Sequence, residues 1–297
     1  MLVCCLGDVM LDVIVDAPTG IVADDDTTAR ITLAPGGQAA NVAAWVATLG
    51  GESRVFGPHA ESGAGRLVGD ELSGAGVEMH GPTTAQPGVV MSLLTPGTRS
   101  LASDPGSLDW LTEIAPGPWL EGADWLFVSG YALLRSPQPQ QIIDLAATAR
   151  SAGTSVAVDL SSAAMITQYG AAAFHRLWRA LRPSVIFAND DEWAATNAGD
   201  GVDTDDSAGA SGVAAGGGAV LVLKHGSRGA TFVIDGIADH RPPEPAQIVD
   251  VTGSGDALSA GYLVGGVELA MTAAARCASH TGAQPPRALR AESEGSE

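Results

Sequence analysis

Residues Asp250 to Asp256, with the sequence Asp-Val-Thr-Gly-Ser-Gly-Asp, carry the most informative chemical pattern in the chain. The glycine-rich turn of Gly253, Ser254 and Gly255 precedes a stretch that is predicted to be helical. Backbone N–H groups at such a helix start point at one place, where the helix dipole favours a phosphate-like anion. A carboxylate beside that anion, here Asp256, is unfavourable unless it takes a proton from a substrate hydroxyl while phosphate charge develops. The stretch therefore indicates phosphoryl transfer, although a capped helix after a glycine turn explains the same residues.

A second glycine pair, Gly36-Gly37, precedes another predicted helix, whose first turn carries Asn41. The apolar residues of that helix recur with helical spacing, as Val42, Trp45, Val46 and Leu49, and Gly50 is a natural stop. The Asn41 amide offers a donor and an acceptor to a polyol. Asp12, after the first strand, offers a carboxylate to two vicinal sugar hydroxyls. A structural turn at the glycines and a solvated turn acid at Asp12 stay open as alternatives.

Two further patterns follow predicted strands. Asn189 and Glu192 are spaced i, i+3 at a helix start and present two oxygens that suit an Mg²⁺ ion with most of its waters. An acidic helix N-terminus is equally favourable without a metal. Gly226 and Gly229, after Lys224, lie between two apolar runs, so a hairpin turn explains them. In the functional interpretation, the backbone of this turn contacts the phosphates or ribose of a nucleotide.

The composition excludes several classes of protein. The 297 residues are 45% apolar and 16% charged, which is typical of a folded chain with a large core. The net charge of −19 argues against a nucleic-acid partner. No apolar run approaches membrane-spanning length, so no membrane partner is predicted. The three cysteines, Cys4, Cys5 and Cys277, form no disulfide framework, and a reducing cytoplasm is the predicted location.

Competing site motifs are not supported. Lys224 is the only lysine and lies outside any G-x-x-x-x-G-K-[S/T] motif, which excludes a P-loop and disfavours a Schiff-base enzyme. Residues 63–69 imitate a dinucleotide-binding loop, but they are separated from the preceding strand. The sequence contains no G-x-S-x-G, H-E-x-x-H or C-x-x-C motif, so hydrolase and zinc sites have no support.

Short apolar runs alternate with alanine-rich helical stretches, which predicts an α/β fold with a mostly parallel sheet covered on both faces. The predicted strands are Val3–Leu6, Trp125–Val128, Ser155–Asp159, Val185–Ala188 and Val220–Leu223, and the clearest helices are Gln140–Arg150 and Ala171–Leu181. In such sheets ligands bind beyond the carboxyl ends of the strands. Residues 13–33 and 87–103 are β-prone insertions within a single domain of residues 1–297, and we expect them to form a small sheet over the site. Residues 198–218 are predicted to be a weak helix or a mobile loop, and the tail from Pro285 to be frayed.

The five patterns together resemble the ribokinase-like (PfkB) family of small-molecule kinases. Their order along the chain matches the family, and the likeness runs from Val3 to about Gly282. The resemblance implies a three-layer α/β/α sandwich with a small β lid. It also implies ATP with Mg²⁺ as phosphoryl donor, a small sugar as acceptor through a hydroxymethyl group, and a homodimer formed through the lid.

The resemblance also implies a role for each residue. Asp256 would be the catalytic base, and the amides of Gly253, Ser254 and Gly255 would hold the transferring phosphoryl charge. The remaining residues would bind the acceptor (Asp12, Gly36, Gly37 and Asn41), the nucleotide (Lys224, Gly226 and Gly229), Mg²⁺ through water (Asn189 and Glu192) and a monovalent cation, usually K⁺ (Asp250). The sequence departs from the family at Leu160-Ser161-Ser162, at the loop of residues 57–62, and in a shortened stretch between Tyr262 and Ala270.

The acceptor is not determined by these motifs. A phosphorylated acceptor would need lid cations, for which Arg30 and Arg99 are placed, but no other lid cation is visible, which favours an unphosphorylated sugar or nucleoside. A nucleoside kinase of the same family is one alternative. A sugar- or nucleotide-binding regulator without catalysis is another, and a nicotinamide-dependent oxidoreductase built on residues 63–69 is a third.

Overall fold

The structure is a computed structural model that describes residues 1–95, 98–197, 218–286 and 289. The strands, in chain order, are β1 (Leu2–Leu6), β2 (Met10–Asp16), β3 (Arg30–Gly36), β4 (Glu52–Phe56), β5 (His59–Ala60), β6 (Val77–His80), β7 (Thr83–Thr84), β8 (Gly88–Thr95), β9 (Thr98–Asp104), β10 (Trp125–Ser129), β11 (Ser155–Asp159), β12 (Val185–Asn189), β13 (Val220–Lys224), β14 (Ala230–Ile234) and β15 (Ile237–Arg241). The helices are α1 (Gln38–Thr48), α2 (Gly63–Ser73), α3 (Gly130–Arg135), α4 (Pro139–Ser151), α5 (Ala163–Tyr169), α6 (Ala171–Ala180), α7 (Asp190–Asn197) and α8 (Ser254–Ala278).

A nine-stranded sheet forms the centre of the described chain, in the order β15-β14-β13-β12-β11-β10-β1-β4-β6. All its strands from β6 to β13 pair in parallel, and only β14 and β15 run antiparallel to their neighbours. Successive side chains point to opposite faces, so Cys4 joins one buried apolar layer and Cys5 the other. The predicted mostly parallel sheet and its five strands are confirmed.

Parallel pairing brings the carboxyl ends of neighbouring strands to one edge of the sheet. Ser129 pairs with Asp159 at the ends of β10 and β11, and Asn189 pairs with Lys224 at the ends of β12 and β13. Four polar side chains therefore lie at the same edge. This is the edge at which open α/β sheets bind ligands.

The two β-prone insertions form a separate four-stranded sheet in the order β3-β2-β8-β9. Strand β2 pairs antiparallel with β3 and parallel with β8, and β8 pairs antiparallel with β9. We call this sheet the lid. Its strands extend beyond the predicted bounds, since they begin at Met10 and end at Asp104. The predicted weak helix or loop at residues 198–218 lies outside the described residues apart from Gly218, and most of the predicted frayed tail does too.

Helix α8 corrects the expectation that no apolar run reaches membrane-spanning length. Its 25 residues are long and apolar enough by length and composition, with a hydropathy of 1.3 over the most apolar window. The helix is not straight, however, because Gly265 and Gly266 have non-helical dihedral angles and bend the chain back on itself. A Cβ atom at Gly261 would lie 2.5 Å from the Leu269 carbonyl oxygen, so the two halves are in close contact. Half of the apolar window is buried in the fold, as expected of a core helix.

Candidate active site

A cavity of about 620 Å³ lies between the lid and the carboxyl ends of the central strands. It collects side chains from segments that are far apart in sequence. Of the residues predicted from sequence, those that line it are Asp12, Gly37, Asn41, Asn189, Glu192, Lys224, Gly226, Gly229, Gly253, Ser254, Gly255 and Asp256. Gly36 and Asp250, which were also predicted, are not among the residues that line the cavity. The structure therefore brings the five sequence patterns to one place.

The glycine-rich turn before α8 presents backbone N–H groups to the cavity. Gly253 has φ 76° and caps the helix, and a Cβ atom there would lie 2.4 Å from the Ala283 Cβ atom. Within the described chain, no acceptor contacts the N–H groups of Gly253, Gly255 or Asp256. The Ser254 N–H was predicted to hold phosphoryl charge, but it donates to the Val251 carbonyl at 3.2 Å and closes the turn. Three unengaged amides therefore lie at the positive end of the helix dipole, an arrangement that suits an anion.

Asp256 lies in the first turn of α8, and its Oδ2 atom accepts a hydrogen bond from Asn41 Nδ2 at 2.8 Å. Burial raises the pKa of Asp256 to about 7, against the hydrogen bond from Asn41 and with the help of the Asp159 charge. The charge of Lys224 and a hydrogen bond from Gln38 also oppose the rise. A carboxyl group with a pKa near neutrality suits a general base, since its ionised form is populated at the working pH.

The Asn41 amide forms hydrogen bonds within the protein at both its nitrogen and its oxygen, and its predicted use by a substrate stays a prediction. Its Nδ2 atom donates to Asp256, and its Oδ1 atom accepts from Gln284 Nε2 at 2.7 Å. Only the second N–H of this buried amide is left for an acceptor. The Gln38 amide is held in a similar way, because its Oε1 atom accepts from the hydroxyls of Ser129 and Ser161, each at 2.6 Å. Its amino group is thereby left to face Asp256.

Asp12 lies on the cavity face of β2, and the two glycines at 36 and 37 have steric reasons to be glycine. A Cβ atom at Gly36 would lie 1.9 Å from Asp12 Oδ1, so Gly36 makes room for that carboxylate. Gly37 has φ 92°, and a Cβ atom there would lie 2.4 Å from the Asp8 carbonyl oxygen. Burial, together with the Asp256 charge, raises the pKa of Asp12 to about 7 despite the nearby Arg99. The two carboxyls therefore face the same cavity and repel each other when both are ionised.

Asn189 and Glu192 form hydrogen bonds with each other at the start of α7. Asn189 Oδ1 accepts from the Glu192 N–H, and the Glu192 carboxylate accepts from the backbone and side-chain N–H groups of Asn189, all at 2.8 Å. Burial raises the pKa of Glu192, with the Asp159 charge and against the Lys224 charge. An added cation would favour the charged form of this carboxylate. Both side chains line the cavity with oxygens of the kind that Mg²⁺ accepts, so they fit an ion held through water.

The Asp250 carboxylate accepts hydrogen bonds from groups of the protein itself. Its Oδ1 atom accepts from the N–H and hydroxyl of Thr252, at 2.9 and 2.5 Å, and its Oδ2 atom accepts from the Gly282 N–H at 2.9 Å. Although burial opposes ionisation, these hydrogen bonds lower the pKa of Asp250. The carboxylate therefore ties the anion-hole turn to the C-terminal loop. A role in binding a monovalent cation stays a prediction.

Lys224 lies beside the glycine-rich turn, and its predicted contact with a nucleotide stays a prediction. Its Nζ atom donates to Asp159 Oδ2 at 2.6 Å, and a Cβ atom at Gly255 would lie 3.4 Å from the same nitrogen. Burial lowers the pKa of Lys224, but the charges of Asp159 and Glu192 outweigh it and raise the pKa. The ammonium group is therefore charged and stands beside the free amides.

The wall next to the anion hole is suited to a flat apolar group. Met271, Ala274, Ala275 and Ala278 from the second half of α8 line it, opposite Gly226 and Gly229 of the β13–β14 turn. Gly229 has φ 91° and a Cβ atom there would lie 2.0 Å from the Arg241 carbonyl oxygen, so the hairpin requires it. The shortened stretch before Ala270 leaves this wall in place.

Sequence reasoning missed Asp159, Gln38 and Gln284 as members of the site. Asp159 ends a predicted strand at the sheet edge, and Gln38 follows the glycine pair directly, so position alone gave a signal for both. Gln284 carried no signal in the sequence. It reaches the site only because the C-terminal loop returns to α1.

The sequence model of the pfkB family of carbohydrate kinases matches residues 1–285. The ATP-dependent ribose-1-phosphate kinase of Halopiger xanaduensis is 29% identical over 260 residues, which cover 83% of this chain and 79% of that protein. A fructokinase of Klebsiella pneumoniae is 27% identical over 270 residues, which cover 88% of this chain and 82% of that protein. Among solved structures, the adenosine kinase of Sinorhizobium meliloti has a TM-score of 0.82 at 23% identity and covers 99% of both chains, which shows a shared fold.

Proposed function

The chain belongs to the pfkB family of carbohydrate kinases, and on that premise we propose that it transfers the γ-phosphoryl group of ATP to a hydroxyl of a small sugar. In this proposal Asp256 takes the proton of the acceptor hydroxyl. The acceptor oxygen forms the new bond to phosphorus, the bond to the ADP oxygen breaks, and the amides of Gly253 and Gly255 hold the charge of the group in transit. Such a reaction needs positioning and charge neutralisation more than covalent help.

One observation carries the proposal. A carboxyl with a pKa of about 7 lies in the first turn of a helix at whose start the N–H groups of Gly253, Gly255 and Asp256 have no acceptor in the described chain. The helix dipole favours binding of the phosphoryl group close to Asp256, which takes the proton of the acceptor hydroxyl. A base beside an unengaged anion site favours a transfer reaction over binding alone.

The cofactors fit the residues around the base. Bound Mg²⁺ would neutralise charge on the nucleotide phosphates, and Asn189 and Glu192 are the residues that would order it through water. Lys224 would add a fixed positive charge beside the anion hole. Gly226 and Gly229 would lie along the nucleotide. Dependence on K⁺ stays a prediction, since Asp250 already accepts three hydrogen bonds.

The lid side of the cavity bears on the acceptor. Arg99 lines the cavity and donates to Thr252 Oγ1 at 2.7 Å, whereas Arg30 is exposed and does not line it. A cavity with one lid cation, Arg99, and several carboxylates supports an unphosphorylated sugar as the acceptor. A sugar phosphate is the second candidate, because Arg99 is placed to meet a phosphate and the Halopiger xanaduensis relative is named for such an acceptor.

The deciding experiment is an ADP-release assay with ATP and Mg²⁺ across hexoses, pentoses, ribose 1-phosphate and nucleosides, with and without K⁺. With the best acceptor, Asp256→Asn should lower kcat by about 10²–10⁴-fold, the usual worth of general-base catalysis. The wild-type kcat should rise with pH as Asp256 ionises and level off above about pH 8. Asp70→Asn, on the exposed side of α2, is the matched control and should keep full activity. Near-normal turnover of Asp256→Asn would exclude it as the base, and no ADP release with any acceptor would favour a binding protein.

A homodimer through the lid belongs to the same proposal. The outer face of the lid, opposite Asp12, carries Val13, Val15, Ile31, Leu33, Met91 and Leu93. Ile31 is 62% exposed and Leu33 48% exposed. Apolar side chains arranged in adjacent rows of one sheet face form a contiguous patch of the kind that a second subunit covers.

A further inference from the structure

We propose that Gln284 is a positioning residue for the base: it holds Asn41 in the orientation in which the Asn41 amino group donates to Asp256. The inference rests on the proposed role of Asp256. Gln284 lies 243 residues from Asn41 in sequence, and the hydrogen bond between them joins the C-terminal loop to α1. No pattern in the sequence relates these two residues.

The geometry is a relay of two hydrogen bonds. Gln284 Nε2 donates to Asn41 Oδ1 at 2.7 Å, and Asn41 Nδ2 donates to Asp256 Oδ2 at 2.8 Å. Gln284 is 9% exposed and Asn41 6% exposed, so water cannot readily replace either partner. A buried amide carbonyl without a donor costs the desolvation penalty of that group.

The direction of the relay depends on Gln284. An amide has a donor end and an acceptor end, and a turned Asn41 would place its carbonyl against the ionised Asp256. In the observed orientation the Asn41 carbonyl faces inward, where Gln284 supplies its donor. The Asn41 amino group therefore donates to the ionised form of Asp256, which is the form that accepts a substrate proton.

The C-terminal loop fixes the position of Gln284. Trp45 Nε1 donates to the Ala283 carbonyl at 2.8 Å, and the His280 ring contacts the Gln284 carbonyl at 2.7 Å. The Gln284 Oε1 atom is buried and has no partner among the described residues. The side-chain amide of Gln284 is therefore oriented mainly through Asn41.

The relay is tested in the ligand-free protein by carbon-13 NMR of labelled aspartate carboxyls, with the Asp256 signal identified by its loss in Asp256→Asn. Gln284→Met keeps the length of the side chain but removes the donor, and it should raise the pKa of Asp256 by about one unit. Gln284→Glu should raise it further, because the introduced carboxylate repels the Asn41 carbonyl. The other charged or titratable groups that influence Asp256 stay in place in these variants: Asp12, Tyr131, Asp159, Lys224 and Cys277.

A double-mutant cycle separates the relay from a general structural effect. In an Asn41→Ala background, Gln284→Met should shift the pKa of Asp256 no further, because the proposed route passes through Asn41. Gln140→Met, an exposed glutamine of α4, is the matched control and should shift nothing. An equal shift in both backgrounds, or no shift in either, overturns the inference.

Kinetics give a second readout. Gln284→Met should lower kcat about fivefold near pH 7, where a one-unit rise in the pKa of Asp256 cuts its ionised fraction by that factor, leave the KM for ATP within about twofold, and regain activity at higher pH as Asp256 ionises. A proportionate loss at every pH overturns the inference. If Gln284→Met fails to fold, as judged by circular dichroism, Gln284→Glu carries the same NMR test. Full turnover of Asp256→Asn refutes the proposed base instead, and the NMR result still decides the relay.

Discussion

Replacing Lys224 by methionine tests how the carboxylate-rich site is held together. Lys224 Nζ lies 2.6 Å from Asp159 Oδ2, and the Asp159 side chain is fully buried while that of Lys224 is 14% exposed. Without the lysine, the Asp159 carboxylate keeps the Ser161 N–H at 3.2 Å and the Ser259 hydroxyl at 3.3 Å. Two neutral donors do not compensate a buried charge. We expect Lys224→Met to lower the free energy of unfolding by about 3–5 kcal/mol, the usual cost of removing one partner of a buried ion pair.

The reverse substitution should cost less. In Asp159→Asn the ammonium group loses its closest partner, but the charges of Glu192 and Asp256 still stabilise it. The expected loss is about 1.5–3 kcal/mol, the worth of a hydrogen bond to a charged group. The double variant leaves no uncompensated charge and should be more stable than Lys224→Met alone. The asymmetry follows from burial, because the Asp159 side chain is fully buried whereas that of Lys224 is partly exposed.

Urea unfolding followed by tryptophan fluorescence and circular dichroism measures all three free energies. Lys224→Arg, which keeps the positive charge, separates loss of charge from loss of packing and should cost less than Lys224→Met. If Lys224→Met were no more destabilising than Asp159→Asn, or if the double variant were the least stable of the three, the ion pair would not be what holds this part of the site.

Two other substitutions test the acceptor side and the lid. Gly36→Ala places a Cβ atom 1.9 Å from Asp12 Oδ1, so it should displace that carboxylate, cost about 1–3 kcal/mol in urea unfolding and raise the acceptor KM more than the KM for ATP. An unchanged acceptor KM would show that Asp12 does not contact the acceptor. Leu33→Glu introduces a charge on the exposed outer face of the lid and should halve the mass measured by light scattering if the lid forms a dimer. Wild-type protein that is monomeric at all concentrations would exclude the dimer.

Local sequence determined the elements and the order of the site patterns. Continuous apolar runs of strand length between alanine-rich helices predicted a parallel sheet that is covered by helices on both faces. The carboxyl ends of neighbouring parallel strands lie at one edge of such a sheet. Asp159 and Lys224 were therefore certain to come near that edge once the strands were recognised. Glycines at 37 and 253 also followed from local demands, since both positions need positive φ. Such features depend on near neighbours in the chain, which the sequence displays directly.

The partners of each polar side chain were decided by the tertiary structure alone. Asp250 accepts a hydrogen bond from the Gly282 N–H, and Asn41 joins Asp256 to Gln284. These pairings depend on the path of the C-terminal loop and on side-chain rotamers, which are set by packing among segments far apart in sequence. Composition and spacing show which groups can bond. Only the packed chain determines which groups meet, because burial makes every unpaired donor or acceptor costly and leaves few arrangements that satisfy them.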